Sequence, residues 1–166
     1  MSIFHISSQL RPEVLKPVFQ RCQRIHIPAF LNREDAARLH AHLRDELQWA
    51  WVFNRGESAY DLNDVAQGAL APEQRQQVEQ SIHAGARQGF QYSYDACRVP
   101  DDAAVRAADS RLLCRFGDFL NSPPFLDFAR ALTGAQNISF ADAQATRYGA
   151  GHFLTTHNDA VAGKNR

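Results

Sequence analysis

The sequence predicts an α+β fold in which helices back a sheet. Two observations carry this expectation. Apolar residues recur at helical spacing through segments lying between residues 32 and 134, and from residue 137 onward the spacing changes to alternation, interrupted once by glycines. A chain of 166 residues with 45% hydrophobic content is long enough to bury one core, so a single domain over 1–166 is expected.

The elements follow in order. "RIHIPAFL" (24–31) has the β-branched content of a short strand. "NREDAARLHAHLRDEL" opens with Asn32 as N-cap and Asp35 three residues on, and sets Ala36, Leu39, Leu43 and Leu47 on one helical stripe. "WAWVFN" (49–54) reads as an aromatic-rich strand. A second helix starts near Pro72, turns Val78 and Ile82 inward and has Gly89 beyond its end. "GFQYSYDACRV" (89–99) alternates, with Phe90, Tyr92 and Tyr94 on one face of a strand. "DSRLLCRFGDFLNSPPFLDFARALTG" is two helices joined at Ser122. That residue is placed to cap the second, with Pro123 or Pro124 in its first turn and Gly134 as the stop. Leu112, Leu113, Phe116, Phe119, Phe125, Phe128 and Leu132 form their packing stripes. "NISFADAQATRYGAGHFLTTHND" then gives two strands separated by the turn "GAG".

Composition removes several function classes. Eighteen basic residues balance eighteen acidic ones, so no overall field favours nucleic acid or an anionic membrane surface, and neither is an expected partner. No apolar run approaches the roughly 18 residues of a membrane span, and the N-terminus lacks a basic, apolar leader. Cys22, Cys97 and Cys114 are odd in number and form no Cys-x-x-Cys pair, which argues against a disulfide framework or a zinc knuckle. A soluble cytoplasmic protein is expected. No oligomeric state is specified by the sequence.

The chemistry-bearing stretch is "YGAGHFLTTHND" (148–159). Along a strand, alternate side chains share a face, so Phe153, Thr155, His157 and, if the strand continues, Asp159 project to one side. An imidazole and a carboxylate side by side are two corners of a two-His, one-carboxylate metal site, which suits non-haem Fe(II) because three adjacent coordination positions stay open. His152 has the opposite parity and is expected to face away. The His-x-Asp spacing alone is uninformative in a chain with 7 histidines and 18 acidic residues. Its context of Tyr148, Gly151, Leu154, Lys164 and Arg166 is what gives it content.

That context resembles the 2-oxoglutarate- and Fe(II)-dependent dioxygenases, in their prolyl-hydroxylase-like branch. The family signature is Tyr-x-x-Gly-x-x-(aromatic or Leu)-x-x-His-x-Asp, and residues 148–159 are similar to it. The resemblance is specific over 144–166 and architectural elsewhere. It implies a partial double-stranded β-helix (jelly roll) backed by helices, His157 and Asp159 as iron ligands, and Tyr148 beside the cosubstrate. It also implies Fe(II) and 2-oxoglutarate as cofactors, with O2 consumed, and a prolyl or similar side chain, peptidyl or free, as substrate. The family's distal histidine and its 2-oxoglutarate-pairing Arg or Lys follow the His-x-Asp by several dozen residues and have no counterpart here. The resemblance therefore implies a C-terminally incomplete dioxygenase domain that loads iron weakly. Two readings from other classes compete: a non-catalytic β-helix interaction module, and a cupin-like metal-binding protein. Trp49, Trp51, Asn54 and Arg55 are read as core or surface positions before any role at a substrate entrance.

Overall fold

The computed structural model describes residues 3–157. Asp159, Lys164 and Arg166 lie outside the described residues. In chain order the elements are α1 (Pro12–Cys22), α2 (Arg33–Asp45), β1 (Ala50–Arg55), β2 (Ser58–Leu62), α3 (Asp64–Gly68), α4 (Pro72–Gly85), β3 (Tyr92–Arg98), α5 (Ala103–Ala108), α6 (Leu112–Leu120), α7 (Pro123–Thr133), β4 (Gln144–Arg147) and β5 (Phe153–Leu154). The expected α+β class is what the described residues form: seven helices and one five-stranded antiparallel sheet. Among the described residues, no helix is long and apolar enough to cross a membrane.

The chain divides into two compact units. The first, from described residues 3–46 and 99–143, has α1, α2, α5, α6 and α7 as its regular elements. Phe4, buried to 1% exposure, packs edge-on against Phe116 at 5.2 Å, and Phe30 meets Phe128 at 5.4 Å in the same geometry. Leu113, Cys114, Phe119, Leu126 and Leu132 complete that interior. Gly134 ends α7 at φ +84°, a conformation glycine adopts without steric cost, and its N–H donates to the Arg130 carbonyl at 2.8 Å. Ser122 occupies the N-cap position of α7, but its hydroxyl donates backward to the Phe119 carbonyl at 2.6 Å and caps nothing.

Two expectations are corrected in this unit. Residues 24–31 are not a strand; only an isolated bridge joins Leu31 to Ile6. Pro28 lacks an N–H and Ala29 takes φ +51°, so a turn interrupts the extended run. The inward stripe of α2 is also rotated. Ala36 is exposed while Asp35 and His42 are buried. Asn32 does cap the helix, accepting from the Asp35 N–H at 2.8 Å. Asp35 tolerates burial because its carboxylate accepts from the His5 N–H at 2.8 Å, Asn32 Nδ2 at 2.8 Å and Arg38 Nη2 at 2.8 Å.

The second unit, from described residues 47–98 and 144–157, holds the sheet with α3 and α4. The strand order is β2-β1-β3-β4, and β5 also pairs with β3. Register places Trp51 opposite Leu62, Phe53 opposite Tyr60 and Ser93, and Phe153 opposite Ser93, so these side chains share one face. Trp51, Phe53 and Ile82 form the buried cluster on that face, with Leu62, Leu70, Val78 and Phe153 packed against it. The Trp51 indole N–H is satisfied by the Ser93 hydroxyl at 2.9 Å. Asn54, buried in β1, fixes the start of β3: its Oδ1 accepts from the Tyr92 N–H at 2.9 Å and from Gln91 Nε2 at 2.7 Å, and its Nδ2 donates to the Phe90 carbonyl at 3.0 Å.

Candidate functional site

The turn expected at "GAG" lies between β4 and β5, at residues 150 and 151, but the two strands do not pair with each other. Both run antiparallel to β3 along the same edge. Asp95 pairs with Arg147 and Ser93 with Phe153, so Tyr148 falls across from Tyr94 and residues 149–152 loop out of the ladder. Gly151 takes φ +83° in that excursion, which returns the chain to the same edge. Alternation in sequence identifies extended segments but does not say which strand each one pairs with.

Tyr148 stacks on Tyr94 with ring centroids 5.1 Å apart. From Tyr94 the contacts continue to Tyr92 at 5.6 Å, from Tyr92 to Phe90 at 5.7 Å, and from Phe90 to His157 at 5.8 Å. The result is one aromatic row with Tyr148 at one end and His157 at the other. By register Tyr92 and Tyr94 lie on the face opposite the Trp51 cluster. Phe90 and Tyr148 are each about half exposed, at 52% and 51%. Burial pushes the Tyr148 phenol pKa up, and the neighbouring Tyr94 adds to the rise. Tyr92 is shifted in the same direction by the same two causes.

His157 reaches this row by a route other than the expected strand parity. The ladder between β3 and β5 ends at Leu154. Thr155 makes one further bond through its N–H to the Gln91 carbonyl at 3.0 Å, but the Gln91 N–H is answered by the Thr155 hydroxyl at 2.9 Å. The Thr155 carbonyl instead lies 3.1 Å from His157 Nδ1. A local side-chain bond has replaced the ladder bond, and the strand stops there. Phe153 therefore belongs to the Trp51 cluster while the His157 ring lies against Phe90, so the expectation that the two share a face is corrected.

The contact with Thr155 has a consequence for ligation. A carbonyl only accepts, so Nδ1 carries the hydrogen in that bond and the lone pair of the neutral ring sits on Nε2. Such a ring is suited in kind to hold a metal through Nε2, with the carbonyl as its orienting partner. Among the described residues, however, no group of three His, Cys, Asp or Glu side chains could hold a metal ion. They supply one fitting donor, and Asp159 lies outside them.

The opposite face carries a cavity of about 130 Å³ that sequence reasoning did not identify. It is lined by Trp51, Arg75, Glu79, His83, Ser93 and His152, among others. Arg75 stacks over the Trp51 ring at 5.0 Å and pairs with Glu79 at 3.1 Å, and His83 stacks on Phe153 at 5.2 Å. His152 thus turns away from His157 and the tyrosine row as expected, but toward the Trp51 side that Phe153 also occupies, from which strand alternation separated it. Trp51 and Asn54 are core residues. Trp49 lies beneath the Arg147 guanidinium at 4.8 Å, and Arg147 is held by Asp95 at 2.7 Å.

No family model, curated protein or solved structure matches the chain. The class that fold and geometry define is an α+β protein with an antiparallel sheet bearing an open aromatic row that ends in an imidazole.

Proposed function

We propose that the chain carries the metal-binding segment of a 2-oxoglutarate- and Fe(II)-dependent oxygenase acting in the cytoplasm on a prolyl or similar side chain, peptidyl or free. In this reading His157 and Asp159 are iron ligands and Tyr148 contacts the cosubstrate. One observation supports it most. Tyr148 and His157 are nine positions apart and separated by a loop, yet both belong to the same aromatic row on one sheet face. The fold required is a double-stranded β-helix, and an antiparallel sheet with helices on one side is compatible with one of its two sheets.

Bound iron would supply the oxidative chemistry, coupling decarboxylation of 2-oxoglutarate to succinate and CO2 with hydroxylation of the substrate. The chain's own residues orient and shield. The Thr155 carbonyl fixes the His157 tautomer. The Tyr148 phenol is protonated at neutral pH, as an ordinary tyrosine is, and in that form donates a hydrogen bond to a carboxylate. The rings of Tyr94, Tyr92 and Phe90 form an apolar floor between the two.

Anaerobic addition of Fe(II) and 2-oxoglutarate tests the reading. A weak visible charge-transfer band that needs both additions and is lost in His157→Ala supports it. A protein that gives neither a band nor succinate is better described as an interaction module, with the half-exposed Phe90 and Tyr148 as its binding surface.

A further inference from the structure

The loop 149–152 is closed by one side chain, that of His152. Its backbone N–H donates to the Gly149 carbonyl at 3.1 Å, and the Gly149 N–H donates to His152 Nδ1 at 3.1 Å. The second bond requires a lone pair on Nδ1, so it forms only when the ring hydrogen is on Nε2. The Arg147 carbonyl lies 3.4 Å from the same Nδ1 and becomes a partner only when Nδ1 carries a hydrogen. The two contacts are mutually exclusive, and they sit on the residues immediately before and after Tyr148.

We propose that His152 is a positioning residue for Tyr148: neutral, it latches the loop through Gly149 and holds Tyr148 on Tyr94; protonated, it exchanges Gly149 for the Arg147 carbonyl and releases that arrangement. The latch rests on geometry alone, and only its bearing on cosubstrate binding rests on the function proposed above. The charged or titratable groups that line the cavity with His152 are Arg75, Glu79 and His83 of α4, and Arg147, at the end of β4, meets His152 through its backbone carbonyl. Arg75 and Glu79 neutralise each other, and Arg147 is held by Asp95. His83 is the other imidazole lining the cavity. Trp51 and Ser93, from β1 and β3, carry no charge there.

The test is an NMR titration of the protein from pH 8 to pH 5, the interval in which imidazoles change charge. It follows amide exchange at Gly149, corrected for its intrinsic pH dependence, and the ring-to-ring contact between Tyr148 and Tyr94. Protection of Gly149 is expected to fall roughly fivefold, the effect of one hydrogen bond, as His152 gains its proton, and the Tyr148 to Tyr94 contact to weaken with it. In His152→Asn the Oδ1 atom stands where Nδ1 stood, accepts from Gly149 and does not titrate, so both readouts stay high throughout. His152→Ala is expected to lose protection at either pH, and His83→Gln to titrate as the parent does. A Gly149 amide and a tyrosine contact indifferent to pH in the parent protein would overturn the proposal, as would His152→Asn titrating like the parent. Loss of 2-oxoglutarate binding with the latch behaving as described would instead remove the oxygenase reading and leave this inference standing.

Discussion

Tyr148 stacks on Tyr94 at the point where the edge strand leaves the ladder, with ring planes 29° apart. Desolvation raises the pKa of Tyr148 and of Tyr92 above the ordinary value of 10.0, and Tyr94 adds to both. With raised folded values, the folded chain binds more protons than the unfolded one above pH 10, so stability is full below that pH and falls as pH rises through the folded values. Thermal midpoints measured from pH 9 to pH 11.5 are expected to drop more steeply in the parent than in Tyr148→Phe. Absorbance of tyrosinate is expected to show two of the 4 tyrosines ionising late.

Acid stability has a different source. The Arg111 guanidinium, followed by its backbone N–H, holds the Asp109 carboxyl well below the usual carboxylate range. A depressed folded pKa contributes stability that is present above the unfolded value, near 4, and is lost as pH falls toward the folded one. The pair is open to solvent on its Arg111 side, which screens it, so the effect is small. Asp109→Asn is expected to flatten the decline of the thermal midpoint between pH 4 and pH 2 and to leave activity-related binding at His157 unchanged.

The sheet depends on the cluster of Trp51, Phe53 and Ile82. Ile82 is 1% exposed, and Ile82→Ala is expected to cost about 2–5 kcal/mol in denaturant unfolding, the range for a large-to-small change in a packed core. A loss below 1 kcal/mol would mean that α4 does not pack on the sheet as described.

Asn54 gives a polar counterpart to that test. Removing its amide in Asn54→Ala leaves the Tyr92 N–H and the Phe90 carbonyl without their partner, and is expected to cost about 1–3 kcal/mol. Because those groups begin the aromatic row, the change should also loosen the contact of Phe90 with His157, readable from ring proton shifts of His157.

How much of this was legible in the sequence depends on what each segment buries. The helices α4, α6 and α7 bury apolar residues at helical spacing and were readable from it, whereas α2 was readable from its Asn32 cap although the face it buries holds Asp35 and His42. Helix α1 contains no fully buried residue, and α5 is announced only by Asp102, whose carboxylate caps the N–H groups of Ala104 and Val105. Strand β2 is mostly exposed, and only Tyr60 and Leu62 carry its apolar alternation, too short a pattern to mark a strand. The spacing from Tyr148 to His157 was visible in the sequence, but the reason they share a face was not. It lies in the Thr155 hydroxyl displacing a ladder bond, a choice between two acceptors that residue spacing does not record.

The proposed iron site of His157 and Asp159 beside Tyr148 is decided by paramagnetic broadening with Fe(II), which registers weak as well as tight binding. Under anaerobic conditions with 2-oxoglutarate, saturable loss of the His157 and Asp159 signals is expected, with perturbation of Tyr148, little effect at His152, and none of these in His157→Ala. Signals at His157 that survive excess Fe(II), or broadening that persists unchanged in the His157→Ala protein, would contradict it.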